Sequence, residues 1–136
     1  MRLLCVEDNS TLRKMIDLML ATTGIDVDFA TDGREAVEAY QVNEYDAVLM
    51  DMEMPVMSGI QAAREIRQVE GGHHLNYTPI LFLSGNESRD QIDHSFEAGG
   101  DGHLAKPFTS EALIGALNGV LAAANRGGVQ NLAALR

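Results

Sequence analysis

Short apolar runs alternate with longer amphipathic stretches along this chain. Leu3 to Val6, Asp46 to Met50 and Ile80 to Leu83 are nearly continuous apolar runs, the pattern of strands buried on both faces. Ile25 to Ala30 is interrupted by Asp26 and Asp28, which predicts a strand near a sheet edge. His103 to Ala105 gives a short fifth strand. Between the strands, apolar residues recur at helical spacing. Leu12, Ile16, Met19 and Leu20 predict a helix capped by Asn9 or Ser10 and running to about Thr23, where Gly24 stops it. Ala36, Val37 and Tyr40 mark a second helix that ends near Asn43, after the Asp32-Gly33 turn signal. Ile60, Ala63 and Ile66 mark a third, from Ile60 to about Val69, followed by a polar connection over Glu70 to Thr78. A fourth covers roughly Arg89 to Ala98 before Gly99-Gly100, and a fifth, capped by Thr109 or Ser110, runs to about Ala124.

Five alternations of strand and helix predict an α/β fold, a parallel sheet with helices on both faces. Right-handed crossovers leave few topologies. In the doubly wound order 2-1-3-4-5, strands one and three lie side by side at a switch point. Residues 1–124 then form one domain, and residues 125–136 a C-terminal tail or linker around Gly127-Gly128.

Composition narrows the function. The net charge of −10 argues against direct nucleic-acid binding, which needs a basic surface. No apolar run approaches the roughly 18 residues of a membrane span. The first eight residues meet a charge too early for a signal peptide, so the expected compartment is the cytoplasm. Cys5 lies in an apolar run and reads as a small buried hydrophobe, not a reactive thiol.

The chemistry collects at strand ends. Ala47-Val48-Leu49-Met50 runs straight into Asp51, and Pro55 follows, which cannot extend a strand. Asp51 therefore sits at the carboxyl end of a central strand, where open α/β sheets place ligands. Strand one ends at Glu7-Asp8, strand four at Ser84 and strand five at Lys106-Pro107. Three carboxylates in one crevice either raise one another's pKa or recruit a cation. An all-oxygen set suits Mg²⁺. A carboxylate nucleophile, a metal, a hydroxyl and an ammonium are the parts of phosphoryl transfer, with Asp51 forming an aspartyl phosphate. Taken singly, each group also has an ordinary reading as a cap, a turn or a loop. Five of them at one sheet edge do not.

Val6-Glu7-Asp8, Asp51-Met52-Glu53-Met54-Pro55 with Ser58-Gly59, Ser84, and Lys106-Pro107-Phe108 together resemble the receiver domain of bacterial two-component response regulators. The resemblance covers about residues 1–124 and implies a flavodoxin-like (βα)5 fold. It implies a signalling switch and not a turnover enzyme. By this resemblance, Asp51 would accept a phosphoryl group from a phosphohistidine on a histidine kinase or a histidine phosphotransfer protein. Asp8, Asp51 and the Glu53 carbonyl would bind Mg²⁺, with Glu7 acting mostly through water. Ser84 would move toward the phosphoryl group and Lys106 would pair with it. Helix four, strand five and helix five would report the change and offer a homodimer surface. Leu12, Met15 and Leu18 on helix one are candidates for the phosphodonor contact.

The chain departs from the family at three places. Ser84 stands where Thr is frequent, and keeps the hydroxyl. His103 occupies the switch position usually held by Tyr or Phe. It reads either as a half-exposed strand histidine or as a rotamer switch with added pH sensitivity. Asp101-Gly102 replaces an Asp-Asp pair, which is expected to loosen that loop. Glu53 and Asn86 are expected to set the dephosphorylation rate, so Glu53→Ala should change the acyl-phosphate lifetime without abolishing phosphorylation.

Other clusters read as structural. His73-His74, His94 and His103 fit no metal-ligand spacing. Met50, Met52, Met54 and Met57 read as adaptable core packing. Three other functions share some of these features. An aspartyl-phosphate phosphatase of the haloacid-dehalogenase type needs an aspartate where Glu53 stands. A flavin or nucleotide module lacks its glycine-rich loop after strand one. A binding-only receiver would not keep the whole site set. Asn9 to Arg13 looks like stand-alone chemotaxis regulators, and Met54 to Gly59 looks equally like hybrid histidine kinases.

Overall fold

The structure is a computed structural model and describes residues 1–73, 76–85 and 87–124, apart from the His73 side chain. Asn86, His74 and the tail from residue 125 lie outside the described residues. Five strands and five helices alternate: β1 (Arg2–Val6), α1 (Ser10–Leu20), β2 (Asp26–Ala30), α2 (Gly33–Val42), β3 (Ala47–Asp51), α3 (Gly59–His73), β4 (Ile80–Ser84), α4 (Arg89–Glu97), β5 (Gly102–Ala105) and α5 (Ser110–Ala123). The sheet is parallel throughout, in the order β2-β1-β3-β4-β5. The aspartate-interrupted β2 takes one edge, as its pattern predicts, while β3 and β4 are buried at every position.

Alternate residues of each strand feed two cores, one on either face. Leu4, Val6, Met50 and Phe82 pack with α2 and α3 on one face. Leu3, Cys5, Leu49 and Leu83 pack with α1 and α5 on the other. Met50, Met52 and Met57 are buried in the first core with Met54 packed against it, so the methionines are packing residues. Cys5 is fully buried, and burial pushes its thiol pKa far up, which removes the thiolate that reactivity needs.

Local caps set most helix starts. The side chains of Asn9, Asp32, Ser88 and Thr109 accept backbone N–H groups in the first turns of α1, α2, α4 and α5. Asp32 is thus a cap as well as a turn residue. α1 stops at Leu20, three residues short of the expected end. Thr23 Oγ1 donates to the Leu20 carbonyl at 2.6 Å and closes the last turn, and Gly24 takes φ +78°. β3 runs one residue further than expected and contains Asp51, opposite Leu83 of β4.

Two expectations fail for the same reason. α3 continues past Val69 to His73. Glu70, expected in a polar connection, is buried; it accepts Arg67 Nη1 at 2.7 Å, Tyr40 OH at 2.7 Å and the Thr78 N–H at 2.7 Å. The Asp101-Gly102 loop is not loosened. Asp101 accepts the Ile80 N–H at 2.8 Å, Arg67 Nη2 at 3.1 Å and Tyr77 OH at 2.5 Å. Arg67 also donates to the Gly99 and Thr78 carbonyls and lies over the Tyr77 ring. One guanidinium therefore ties α3 to the segments before β4 and β5, at the edge opposite the strand C-termini.

Candidate functional site

The carboxyl ends of β1, β3 and β5 meet at an open cleft of about 960 Å³. Glu7 follows β1 directly and Asp51 ends β3, and both are nearly inaccessible, at 1% and 4% exposure. Lys106 follows β5. Its Nζ donates to Asp51 Oδ1 at 3.0 Å and to Glu7 Oε2 at 3.1 Å, joining residues 55 and 99 positions away in sequence. Asp8 is exposed beside them, and oxygens of Glu7, Asp8 and Asp51 all lie within 4.8 Å of one another. Among the described residues this is the one such cluster of potential metal ligands, so His94 and His103 form none.

Electrostatics follow from crowding. Burial, then the Asp51 charge, raise the Glu7 pKa to about 7 against the pull of Lys106. Burial likewise raises Asp51, opposed by Lys106 and by hydrogen bonds from the Glu53 N–H and Glu7. Burial works against the Lys106 charge, but its hydrogen bonds and charge pairing with Asp51 and Glu7 prevail and leave its pKa above the usual value. Around neutral pH Glu7 therefore carries a proton part of the time, beside the Lys106 ammonium. A hard divalent cation would displace that proton, and the all-oxygen donor set fits one.

The backbone is fitted closely around Asp51. A Cβ on Gly59 would lie 2.0 Å from the Asp51 carbonyl oxygen, so no other residue fits without moving β3. In the intervening loop the Val56 φ is +71° and the Met57 N–H donates to the Pro55 carbonyl at 2.8 Å. That is a strained γ-turn around a β-branched residue, in the loop that follows Asp51. The Lys106–Pro107 peptide bond is cis.

Sequence-predicted residues divide into two groups. Glu7, Asp8, Asp51, Glu53 and Lys106 all line the cleft. Ser84 ends β4, buried and paired with Ala105, but is not one of the lining residues. His103 is exposed on β5, edge-on to Phe96 of α4 with centroids 6.4 Å apart. Of the three α1 candidates, Met15 and Leu18 are exposed, whereas Leu12 is partly buried against the core.

The sequence reading missed three residues. Arg13 reaches back from α1 and donates to the Glu7 carbonyl at 2.8 Å and the Asp8 carbonyl at 3.0 Å. Glu87 lines the cleft, and its carboxylate accepts the Gly85 N–H. Gln91 of α4 donates Nε2 to Glu53 Oε1 at 3.4 Å. A basic residue one turn into a helix that follows an acidic loop could have pointed to Arg13. Nothing local marks Gln91.

Known proteins give a consistent picture. The family model described as "Response regulator receiver domain" matches residues 3–118. The cell cycle transcriptional regulator CtrA of Caulobacter vibrioides is 36% identical over 122 residues, covering 89% of this chain and 50% of its own length. The chain thus spans half the length of that relative. Among solved structures, the receiver domain of sensor histidine kinase PA1611 from Pseudomonas aeruginosa is 36% identical, with a TM-score of 0.78 over 89% of this chain and 97% of that one. That structure carries a magnesium ion coordinated in its active-site cleft. Vibrio cholerae chemotaxis protein CheY4 is 33% identical with a TM-score of 0.78, over 88% of this chain and 97% of that chain.

Proposed function

The chain belongs to the response regulator receiver family, and on that premise we propose that it is a phosphorylation-dependent signalling switch. Asp51 accepts a phosphoryl group from a phosphohistidine on a histidine kinase or a histidine phosphotransfer protein. An Asp51 oxygen bonds to phosphorus as the phosphorus–nitrogen bond breaks and the imidazole leaves. The observation that carries this reading is the placement of the Asp51 carboxylate, at a strand end, 3.0 Å from Lys106 Nζ and grouped with Glu7 and Asp8.

Glu7, Asp8, Asp51 and the main-chain carbonyl of Glu53 are the groups to hold Mg²⁺. When bound, the ion neutralises charge on the phosphoryl oxygens. The chain's own residues do the rest. Lys106 turns from the two carboxylates to a phosphoryl oxygen, keeping a cation beside the added charge. Ser84, at the end of β4, supplies a hydroxyl donor to the same group. His103 and the face of α4, β5 and α5 respond to that shift, and the same face is the candidate homodimer surface. We assign residues 1–124 to this receiver unit. Among the described residues no helix is long and apolar enough to cross a membrane, and the acidic chain works through protein partners.

Intact-protein mass after incubation with acetyl phosphate and Mg²⁺ tests the reading. The parent gains the mass of one phosphoryl group; Asp51→Asn, or the parent without Mg²⁺, does not. No gain, with beryllofluoride also failing to bind, would make the chain a binding-only receiver.

A further inference from the structure

We infer that Gln91 is a positioning residue that sets the lifetime of the acyl phosphate by holding Glu53 away from Asp51; this rests on the proposed phosphorylation of Asp51. Gln91 is the third residue of α4 and is fixed at one end. Its Oε1 accepts the Ser88 N–H at 2.8 Å while Ser88 Oγ accepts the Gln91 N–H at 3.2 Å, a reciprocal capping box. With Oε1 committed to the backbone, Nε2 projects as a donor, and its partner is Glu53 Oε1 at 3.4 Å.

Glu53 is placed to matter. It stands two residues after Asp51, in the loop that leaves β3, so its side chain departs from a point next to the phosphoryl acceptor. The side chain is exposed and lines the cleft. A free carboxylate there can accept a proton from a water attacking the acyl phosphate, the ordinary role of a general base. Bound to Gln91, that carboxylate is turned toward α4. The contact is long and exposed, so it biases the Glu53 conformers modestly and does not lock them.

The consequence is a link between the site and α4. A partner that draws Gln91 away frees Glu53 and shortens the phosphorylated state. By reciprocity, whatever engages Glu53 alters binding at the first turn of α4.

The test is a double-mutant cycle on the acyl-phosphate decay rate, measured by intact mass after the donor is removed. Gln91→Ala should decay about two- to five-fold faster than the parent, the shift that one exposed hydrogen bond allows. In a Glu53→Gln background the same substitution should change nothing, whereas a mere loss of the α4 cap would still show. Equal or slower decay in Gln91→Ala, or an effect that persists with Glu53→Gln, overturns the inference while leaving the phosphorylation reading intact. Absence of any phosphoryl gain in the parent overturns both.

Discussion

Replacing Glu7 by glutamine should stabilise the metal-free protein at mildly alkaline pH, although it removes a charge paired with a lysine. Glu7 is buried, and its pKa is raised from an ordinary 4.5 to about 7. A folded-state pKa above the unfolded one means that the neutral form suits the fold. That stabilisation is fully present below about pH 4.5 and is lost as pH rises through about 7. At about 1.4 kcal/mol per pH unit, the shift corresponds to roughly 3 kcal/mol forfeited by about pH 8. Glutamine stays neutral at every pH but accepts less strongly from Lys106, so about 1–3 kcal/mol should be regained. For a domain of this size that is a rise in Tm of several degrees near pH 8, shrinking to almost nothing by about pH 4. Millimolar Mg²⁺ should raise the parent's Tm more than the variant's, which narrows the gap. Thermal melts of both proteins across pH, with and without Mg²⁺, read this directly. A variant less stable than the parent at pH 8, or a difference that does not change with pH, would refute the crowding argument.

Further predictions concern other parts of the fold. Arg67→Met should cost about 3 kcal/mol in chemical denaturation, because it strands the buried Glu70 carboxylate and unties Asp101. Val56→Gly should relieve the left-handed backbone at a 75% exposed position and be neutral to about 1 kcal/mol stabilising; a clear loss in Tm would show that the turn is not strained. Arg13→Met should weaken Mg²⁺ binding several-fold in a direct titration, since its hydrogen bonds to the Glu7 and Asp8 carbonyls are lost; unchanged affinity would show that the loop holds itself.

The central sheet was legible because its strands are buried on both faces. Runs such as Ala47 to Met50 and Ile80 to Leu83 have no other economical reading, and the topology then fixes which strand ends share an edge. Glu7, Asp8, Asp51 and Lys106 follow from that alone, and the structure brings them to one cleft. What escaped the sequence depends on partners distant along the chain. Glu70-Gly71-Gly72 looks like a loop until Tyr40 and Thr78 supply its hydrogen bonds from 30 and 8 residues away. Asp101 looks free until Arg67 and Tyr77 arrive from 34 and 24 residues away. Gln91 closes the capping box of α4, and its contact with Glu53 exists only because the sheet brings the β3–α3 loop and α4 together. Periodicity reports which face a residue presents, not which distant side chain meets it.

Every role proposed for the cleft depends on Asp51 itself carrying the phosphoryl group. Borohydride reduction of the freshly phosphorylated protein, followed by peptide mapping, tests this most directly, because an acyl phosphate on aspartate is reduced to homoserine. Homoserine is expected at position 51 and nowhere else, dependent on Mg²⁺. Label at Asp8 or Glu53 with Asp51 intact, or a phosphoryl group that survives borohydride, would contradict it.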